Sequence, residues 1–318
     1  MNKKVIVIGD GVIGSNYVYS LMIHGSVNEI GIIDQNQEKV QGDVLDLADV
    51  DLDTRATKIY AAEFSDCVDA DLVVLVTDIS RYSSSALFGP SNNNLHEFTK
   101  TLNAIISSGF NGIFLVAADT VDILTYETWR ITGFSRERII GLGSMVSTVR
   151  LKYELAYELK INDPRQINIY MLGNSGSEEF AAYSTATVRK SPLNIWLHDQ
   201  QICEDQLFEI EDRVKQKSRL IIKKKRSLAY GVAAALTQIT RAIFNDQDTV
   251  LPVSICLEGE YGISNVCLAT PAIVNSDGIK RVIELPLSNS ENEKMLQAAK
   301  LSKGKILEEW MGVSTSYF

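Results

Sequence analysis

Near its amino terminus the chain carries three glycines at the spacing of a phosphate-binding turn. Gly9, Gly11 and Gly14 form a G-x-G-x-x-G pattern directly after the apolar run VIVIG and at the start of a helical pattern. The first glycine permits a tight turn, the second lets a pyrophosphate approach the backbone, and the third lets helix and strand pack closely. The helix amino terminus would face the phosphates with its partial positive charge.

A carboxylate completes this pattern. Asp34 ends the second predicted strand, about 20 residues after the glycines, where an acidic group accepts hydrogen bonds from ribose hydroxyls. Because a carboxylate there disfavours a 2′-phosphate, the pattern predicts NAD rather than NADP. We also predict that Lys39 takes part in cofactor binding. The alternative is a glycine turn on a similar sheet that binds no ligand.

The first half of the chain alternates short apolar runs with helical patterns. Because the runs are continuous in Val and Ile, they indicate strands buried on both faces of a parallel sheet. Strand–helix alternation predicts a doubly wound α/β fold. The predicted strands are VIVIG (5–9), EIGIID (29–34), KIYAA (58–62), DLVVLVT (71–77) and GIFLVAA (112–118).

A different pattern begins after residue 141 and predicts a mixed α+β region. Helices are predicted from about Val146 to Leu159, over 204–226 and 231–245, and in a carboxyl-terminal segment, SENEKMLQ onward, opened by a serine cap. Antiparallel strands are predicted over 166–173 and 181–188, and a meander of strands over 250–286. We therefore divide the chain into domains at 1–141 and 142–318.

Composition excludes several classes of function. The 318 residues carry a formal net charge of −9, which argues against a nucleic-acid or membrane-surface binder because both need a positive field. The chain has no apolar run long enough to span a bilayer and no signal-peptide pattern, so we expect a cytoplasmic protein. The four cysteines lack metal-ligand spacing and predict reduced, buried thiols, and three histidines predict no metal site built from histidine.

Longer stretches spread over nearly the whole chain carry a more specific signal than the glycines. They are GDGVIGS, EIGIIDQNQEK, DADLVV, SGFNGIFLVAA, VDILTYETW, YGVAAAL, VLPVS and the segment from EGEYG to TPAIVN. Together they resemble a bacterial L-lactate dehydrogenase of the lactate/malate dehydrogenase family, with few or no gaps. The resemblance implies NAD as cofactor and a Rossmann sheet followed by the mixed α+β substrate domain of that family. It also implies a homotetramer or homodimer.

The family's chemistry, as the resemblance implies it, depends on a histidine that exchanges a proton with the substrate oxygen while hydride moves. The family strand ends G-E-H-G-D, but here it reads Gly-Asn-Ser-Gly-Ser, with Ser175 at the histidine position. The aspartate that orients that histidine belongs to an L-D-x-x-R motif, and Ser147 replaces it. Only Arg150, the position that clamps the substrate carboxylate, keeps its residue type.

Three more positions depart from the family pattern. Leu87 stands where a mobile loop carries the arginine that polarises the substrate carbonyl, and Asp119 replaces an asparagine that orients it. Asp78 places a carboxylate where the family keeps bare backbone near the cofactor phosphates, which predicts weakened NAD binding. Asp119 could instead give Arg150 an internal carboxylate partner; the alternative is that Asp119 faces solvent.

No other residue in the pattern replaces the missing acid. We interpret His24, His96 and His198 as solvated or packing residues, and Ser175 as a hydroxyl with no base beside it. Replacing both the histidine and its aspartate by serine predicts a small neutral pair that can hydrogen-bond or hold water. Losing a positioned acid–base group costs about 10²–10⁴ in rate.

The leading hypothesis is therefore a pseudoenzyme, with a lactate dehydrogenase fold but no efficient hydride transfer. Such a protein would bind NAD weakly or join the subunits of an active paralogue. The alternative is an NAD-dependent L-2-hydroxy acid oxidoreductase with an altered substrate or a displaced acid. No nucleic acid, membrane or metal is expected as a partner.

Overall fold

The structure of the chain is a computed structural model that describes residues 2–50, 57–76, 92–118, 120–176 and 178–314. The side chains of 92–94 and 307–314 lie outside this description. Within the described part, no helix is long and apolar enough to cross a membrane.

The first half forms a parallel sheet in the order β3-β2-β1-β4-β5-β6. Every residue of β1, β4 and β5 is buried, as continuous Val and Ile runs predict for a sheet covered on both faces. The strands are β1 (Lys4–Ile8), β2 (Glu29–Ile33), β3 (Lys58–Ala61), β4 (Leu72–Val76), β5 (Ile113–Ala117) and β6 (Ile139–Gly141). The helices are α1 (Val12–His24), α2 (Gln37–Ala48), α3 (Asn92–Ser107) and α4 (Val121–Thr132).

The second half is mixed, as predicted. Its helices are α5 (Met145–Glu158), α6 (Leu193–Asp199), α7 (Glu204–Lys225), α8 (Ala229–Phe244) and α9 (Asn289–Ser314). Its strands are β7 (Ile167–Asn168), β8 (Met171–Asn174), β9 (Glu178–Ala181), β10 (Thr187–Val188), β11 (Ser191–Pro192), β12 (Thr249–Glu258), β13 (Ser264–Asn275) and β14 (Gly278–Val282).

One sheet runs through both halves of the chain. Ser254 of β12 pairs with Gly141 of β6, and the sheet continues through β13, β8 and β9 in antiparallel pairs. Helix α4 packs on β12 and β13. This arrangement brings the first turn of α4 beside β12 and the end of β8, which positions the site described below.

Three local expectations need correction. The strands predicted over 166–173 and 181–188 are each interrupted, because β7 pairs with β10 while β8 pairs with β9. The carboxyl-terminal helix is capped two residues earlier than predicted, by Ser288 instead of Ser290, since the Glu291 N–H donates to Ser288 Oγ and the Glu291 carboxylate accepts the Ser288 N–H. All four cysteines are free, but Cys203 is exposed rather than buried.

Candidate active site and cofactor site

The glycine turn between β1 and α1 has the geometry that its spacing predicts. Gly9 has a φ of +108°, and a Cβ on it would overlap the Val76 carbonyl oxygen of β4. A Cβ on Gly14 would overlap the Gly9 carbonyl oxygen. Gly11 differs, because no atom lies within 4 Å of where its Cβ would be. The turn is therefore packed tightly on the protein side and open at Gly11, where a pyrophosphate would approach.

The start of α1 leaves backbone donors available at this opening. Gly11 is its N-cap, and it has no side chain to accept a hydrogen bond from the amides of the first turn. Amides left unpaired by a side chain, together with the helix dipole, favour an anion. The turn therefore fits a dinucleotide phosphate.

Asp34 lies at the carboxyl end of β2 with its carboxylate fixed by two backbone amides. The Asp10 N–H donates to Oδ2 at 2.7 Å, and the Asn36 N–H donates to Oδ1 at 2.9 Å. Each carboxylate oxygen can accept a further hydrogen bond, so ribose hydroxyls can still bind there. Lys39 lies nearby in an ion pair with Asp10. Asp78 lies outside the described residues.

The catalytic end of the predicted site is built around a buried carboxylate, Asp122, that is not among the site residues predicted from sequence. Asp122, in the first turn of α4, accepts the Ser175 N–H at 2.6 Å, and Ser175 Oγ lies 3.4 Å from its Oδ1. The Ser254 hydroxyl of β12 also donates to Asp122. Burial raises the pKa of Asp122 to about 6, while the bonds from Ser254 and Ser175 oppose that shift. The expectation that Ser175 has no base beside it is therefore wrong.

A second buried carboxylate accompanies Ser147. The Ser147 hydroxyl, in the first turn of α5, lies 3.0 Å from Glu179 Oε1 and 3.1 Å from the Ser144 carbonyl oxygen, so its proton serves one of them at a time. Burial raises the pKa of Glu179 to about 7; the Ser147 and Gly176 bonds oppose this, and the charge of Asp122 adds to it. The two serines therefore contact separate buried acids instead of forming an isolated neutral pair.

Sequence patterns offered only weak signals for these acids. Asp122 lies in VDILTYETW, a stretch that carries the resemblance, whereas Glu179 follows GNSGSE, where the chain departs from the family pattern. Each is less than 10% exposed, although acidic residues are rarely buried without partners. Their hydroxyl donors, Ser254 for Asp122 and Ser147 for Glu179, come from distant parts of the chain, so these partners are not visible in local sequence.

Raising the pH should change the stability of the Glu179→Gln variant relative to the wild type. The folded-state pKa of Glu179, about 7, lies above its ordinary value of 4.5, so its contribution to stability is full below pH 4.5 and is lost as pH rises through 7. Glutamine does not ionise. We expect the unfolding free energy of Glu179→Gln, minus that of the wild type, to rise by about 2.5 kcal/mol between pH 5 and pH 8.

Urea unfolding at the two pH values measures this difference. Glu178→Gln is the matched control, because Glu178 neighbours Glu179 on β9 but is exposed. The control should show little change with pH relative to wild type. An equal response from both variants would contradict a buried, proton-binding Glu179.

Arg150 is the residue predicted to clamp a substrate carboxylate. Its guanidinium is half-buried on α5 and donates to the Ser218 hydroxyl of α7. Burial lowers the pKa of Arg150, and the charge of Glu179 opposes that shift. Within the described residues no carboxylate lies within ion-pair distance of Arg150. Asp119 lies outside them, so its pairing with Arg150 remains a hypothesis, and so does the role assigned to Leu87.

The three histidines all lie on exposed parts of the surface. His24 ends α1 and its Nδ1 contacts the Ser20 carbonyl oxygen, His96 lies on α3, and His198 on α6 has a side chain 91% exposed. This agrees with their interpretation as solvated residues. Among the residues that the structure describes, no group of three His, Cys, Asp or Glu side chains could hold a metal ion.

Comparisons with known proteins agree with this geometry. Residues 3–141 match the lactate/malate dehydrogenase NAD binding domain, and residues 146–309 match the lactate/malate dehydrogenase alpha/beta C-terminal domain. The chain is 41% identical over 308 residues to an L-lactate dehydrogenase of Pediococcus acidilactici, covering 97% of this chain and 95% of that protein. It is 42% identical over 303 residues to L-lactate dehydrogenase 1 of Enterococcus faecalis, covering 95% and 92%.

Solved structures give the same result. A lactate dehydrogenase from a Medee basin deep-sea metagenome superposes with a TM-score of 0.92 at 32% identity, covering 97% of this chain and 99% of that one. The ligand-bound minor L-lactate dehydrogenase of Enterococcus mundtii gives 0.91 at 33% identity, covering 96% and 98%. The chain therefore belongs to the lactate/malate dehydrogenase family, with that family's α/β fold and NAD-binding domain.

Proposed function

We propose that this chain binds NAD but does not efficiently transfer hydride between the cofactor and a 2-oxo or 2-hydroxy acid. Ser175 carries this proposal, because it stands where the family places the histidine that exchanges a proton with substrate. Its hydroxyl is held beside the Asp122 carboxylate, and the three histidines of the chain are exposed elsewhere. Bound NADH would supply hydride, whereas the protein lacks a matched proton donor.

Neither Ser175 nor Asp122 suits the role of proton donor to the substrate. An unperturbed serine hydroxyl gives up its proton far too reluctantly near pH 7, where a group with a pKa near 7 serves best. Asp122, with a pKa of about 6, is mostly ionised at pH 7 and already accepts three hydrogen bonds. Losing a positioned acid–base group lowers the rate by about 10²–10⁴, and the replacement of Ser147 and Leu87 lowers transition-state stabilisation further.

Each of the two family domains has its own part in this proposal. We propose that residues 1–141 hold the cofactor through the glycine turn, Asp34 and Lys39. Residues 142–318 would retain a pocket that Arg150 still makes attractive to a carboxylate. A ligand carboxylate could therefore bind beside NAD without being reduced.

The purified chain should bind NADH, detected by fluorescence titration, yet oxidise it slowly. With pyruvate, oxaloacetate and branched 2-oxo acids, we expect turnover at least about 10² below that of an active L-lactate dehydrogenase assayed alongside. The physical reason is the missing proton donor at Ser175. Turnover close to that of the active enzyme with any of these substrates would contradict the proposal, and absent NADH binding would contradict its cofactor half.

A second candidate is an oxidoreductase with a displaced acid, and Glu179 is the observation that favours it. Its carboxyl is buried, has a pKa of about 7, and hydrogen-bonds Ser147 at the former aspartate position. If Glu179 were that acid, the same assay would show turnover that Glu179→Gln lowers by about 10² or more. Glu178→Gln would leave it unchanged.

We also propose that the chain assembles with further subunits, as a homotetramer, a homodimer or a mixed oligomer with an active paralogue. Two helix faces support this. Helix α1 exposes Val12, Tyr19 and Ile23, and α5 exposes Val149, Tyr153 and Tyr157, at spacings that place each set along one side of its helix. Both helices pack against α8. Sedimentation of the chain alone and mixed with an active lactate dehydrogenase distinguishes these assemblies.

A further inference from the structure

Asp10, the residue between the first two glycines of the turn, carries a carboxylate in an uncommon setting. It is 1% exposed, and neither carboxylate oxygen has a hydrogen-bond donor among the described residues. The Lys39 ammonium lies 3.0 Å from Oδ2 as an ion pair, without the directional geometry of a hydrogen bond. Burial raises the pKa of Asp10 to about 6, and Lys39 opposes that shift. A buried charge of this kind is tolerated only when it is paired.

Lys39 is shared between two carboxylates. Besides Asp10 it pairs with Asp43, four residues further along α2, at 2.6 Å. Burial lowers the pKa of Lys39, but its contacts with Asp43 and Asp10 more than offset this, and the net shift is upward. The ammonium is therefore held in place as a cation by groups on both sides.

Asp10 also contacts the carboxylate that would receive the ribose. Its N–H donates to Asp34 Oδ2, while its own side chain pairs with Lys39. Lys39 is the third residue of α2 and its N–H donates to the N-cap, Asn36, whose own N–H donates to Asp34. The lysine thus lies at the end of β2, where a 2′-phosphate on the adenosine ribose would need a cation.

We propose that Asp10 is a determinant of cofactor choice: with Asp43 it occupies Lys39 in a double ion pair and so withholds that cation from the 2′-phosphate of NADP. The proposal rests on NAD binding by this chain and not on turnover. It adds to the role of Asp34, because Asp34 repels a 2′-phosphate directly whereas Asp10 removes the group that would attract one.

The charges around Lys39 support a role for Asp10 in cofactor choice. A lysine ammonium is a point charge that commonly receives phosphate. Here two carboxylates (Asp10 and Asp43) pair with one ammonium (Lys39), and a third (Asp34) accepts the Asp10 N–H, which leaves the four groups with two net negative charges. Neutralising Asp10 halves that charge and removes one of the two partners of Lys39. The affinity for a dianionic 2′-phosphate should then rise while contacts to NADH are retained.

Fluorescence titration of NADH and NADPH against the full chain tests the proposal. In Asp10→Asn we expect NADPH to bind about tenfold more tightly relative to NADH than in wild type. Asp43→Asn should shift the ratio of NADPH to NADH affinity in the same direction. Because Asp43 is partly exposed, this variant tests the proposal if Asp10→Asn fails to fold. The double variant Asp10→Asn/Lys39→Met should lose the gain, because the cation released by the first change is gone.

Asp49→Asn is the matched control. It removes the same charge from the exposed carboxyl end of α2, about 15 Å along the helix from Lys39. An Asp49→Asn shift as large as that of Asp10→Asn, or a gain that persists without Lys39, would overturn the proposal. NADH binding with an unchanged ratio would also overturn it but leave NAD binding intact. Failure of the wild type to bind NADH would overturn both.

Discussion

Replacing Ser175 by histidine and Ser147 by aspartate in the same chain is expected to raise NADH-dependent pyruvate reduction by about 10²–10⁴ over wild type. The pair supplies a proton donor with a pKa near neutrality and a carboxylate to orient it. Arg150 is already present to bind the substrate carboxylate. Adding Leu87→Arg, in the segment outside the described residues, should raise the rate further by polarising the carbonyl.

The two changes should be strongly non-additive because of the buried acids. Ser147→Asp alone puts a second carboxylate where the Ser147 hydroxyl now contacts Glu179, and like charges in a buried site repel. We expect it to lower the unfolding free energy by about 2 kcal/mol or more. Ser175→His alone adds an imidazole beside Asp122 without the orienting aspartate, so it should recover only part of the rate. Together the imidazole and the new carboxylate can pair.

Steady-state kinetics and urea unfolding of both single variants and the double variant measure this coupling. Arg150→Gln in the double-variant background is the control, because the gain should vanish when the substrate carboxylate has no clamp. If Ser147→Asp proves as stable as wild type, the packing of Glu179 against Ser147 is not as described. If the double variant binds NADH but gains no activity, Ser175 and Ser147 are not the residues that limit turnover.

Two glycines of the same turn should differ in how much an alanine substitution lowers the stability of the chain. At Gly14 the new Cβ would overlap the Gly9 carbonyl oxygen, which is backbone and cannot move aside cheaply. We expect Gly14→Ala to lower the unfolding free energy by about 3 kcal/mol or more and to abolish NADH binding. At Gly11, which has a φ of −73° and open space around it, Gly11→Ala should fold normally.

Gly11→Ala should nevertheless weaken NADH binding by about tenfold or more, since its methyl group would occupy the approach of the pyrophosphate. Thermal unfolding together with fluorescence titration separates the two effects. Gly42→Ala, in α2 with open space around its Cβ position, is the control; it should leave NADH binding unchanged and raise the unfolding free energy by about 1 kcal/mol at most, as alanine does for glycine inside a helix. Unimpaired NADH binding by Gly11→Ala would mean that the cofactor does not approach this turn.

Much of the fold could be predicted because its signals are local. Continuous apolar runs such as VIVIG predicted the buried strands to within about a residue at each end, and the glycine spacing predicted the turn between β1 and α1. The strands predicted over 166–173 and 181–188 were interrupted for a reason that is not local. Their halves pair in two separate sheets, and pairing depends on which strands meet in space.

The candidate site also has features that the sequence predicted and features that only the structure revealed. The residue types at positions 175 and 147 are read directly from the sequence, so the prediction that serines replace a histidine and an aspartate there needed no coordinates. Asp122 and Glu179 could not be assigned to the site from sequence, because Ser254 lies 132 positions from Asp122 and Ser147 lies 32 from Glu179. Likewise, an aspartate inside a glycine turn gives no sign that it will pair with a lysine on the next helix.

The sequence by itself determined the alternation of strands and helices in the first half of the chain, the phosphate-binding turn, and a serine at position 175, on which the proposed loss of the proton donor rests. Those properties follow from residue identity and short-range periodicity. Only the tertiary structure decided that two carboxylates lie buried beside Ser175 and Ser147 and that Asp10 and Asp43 both pair with Lys39. The strength of a charge depends on its burial and its neighbours, and both are set by segments that meet only when the chain packs.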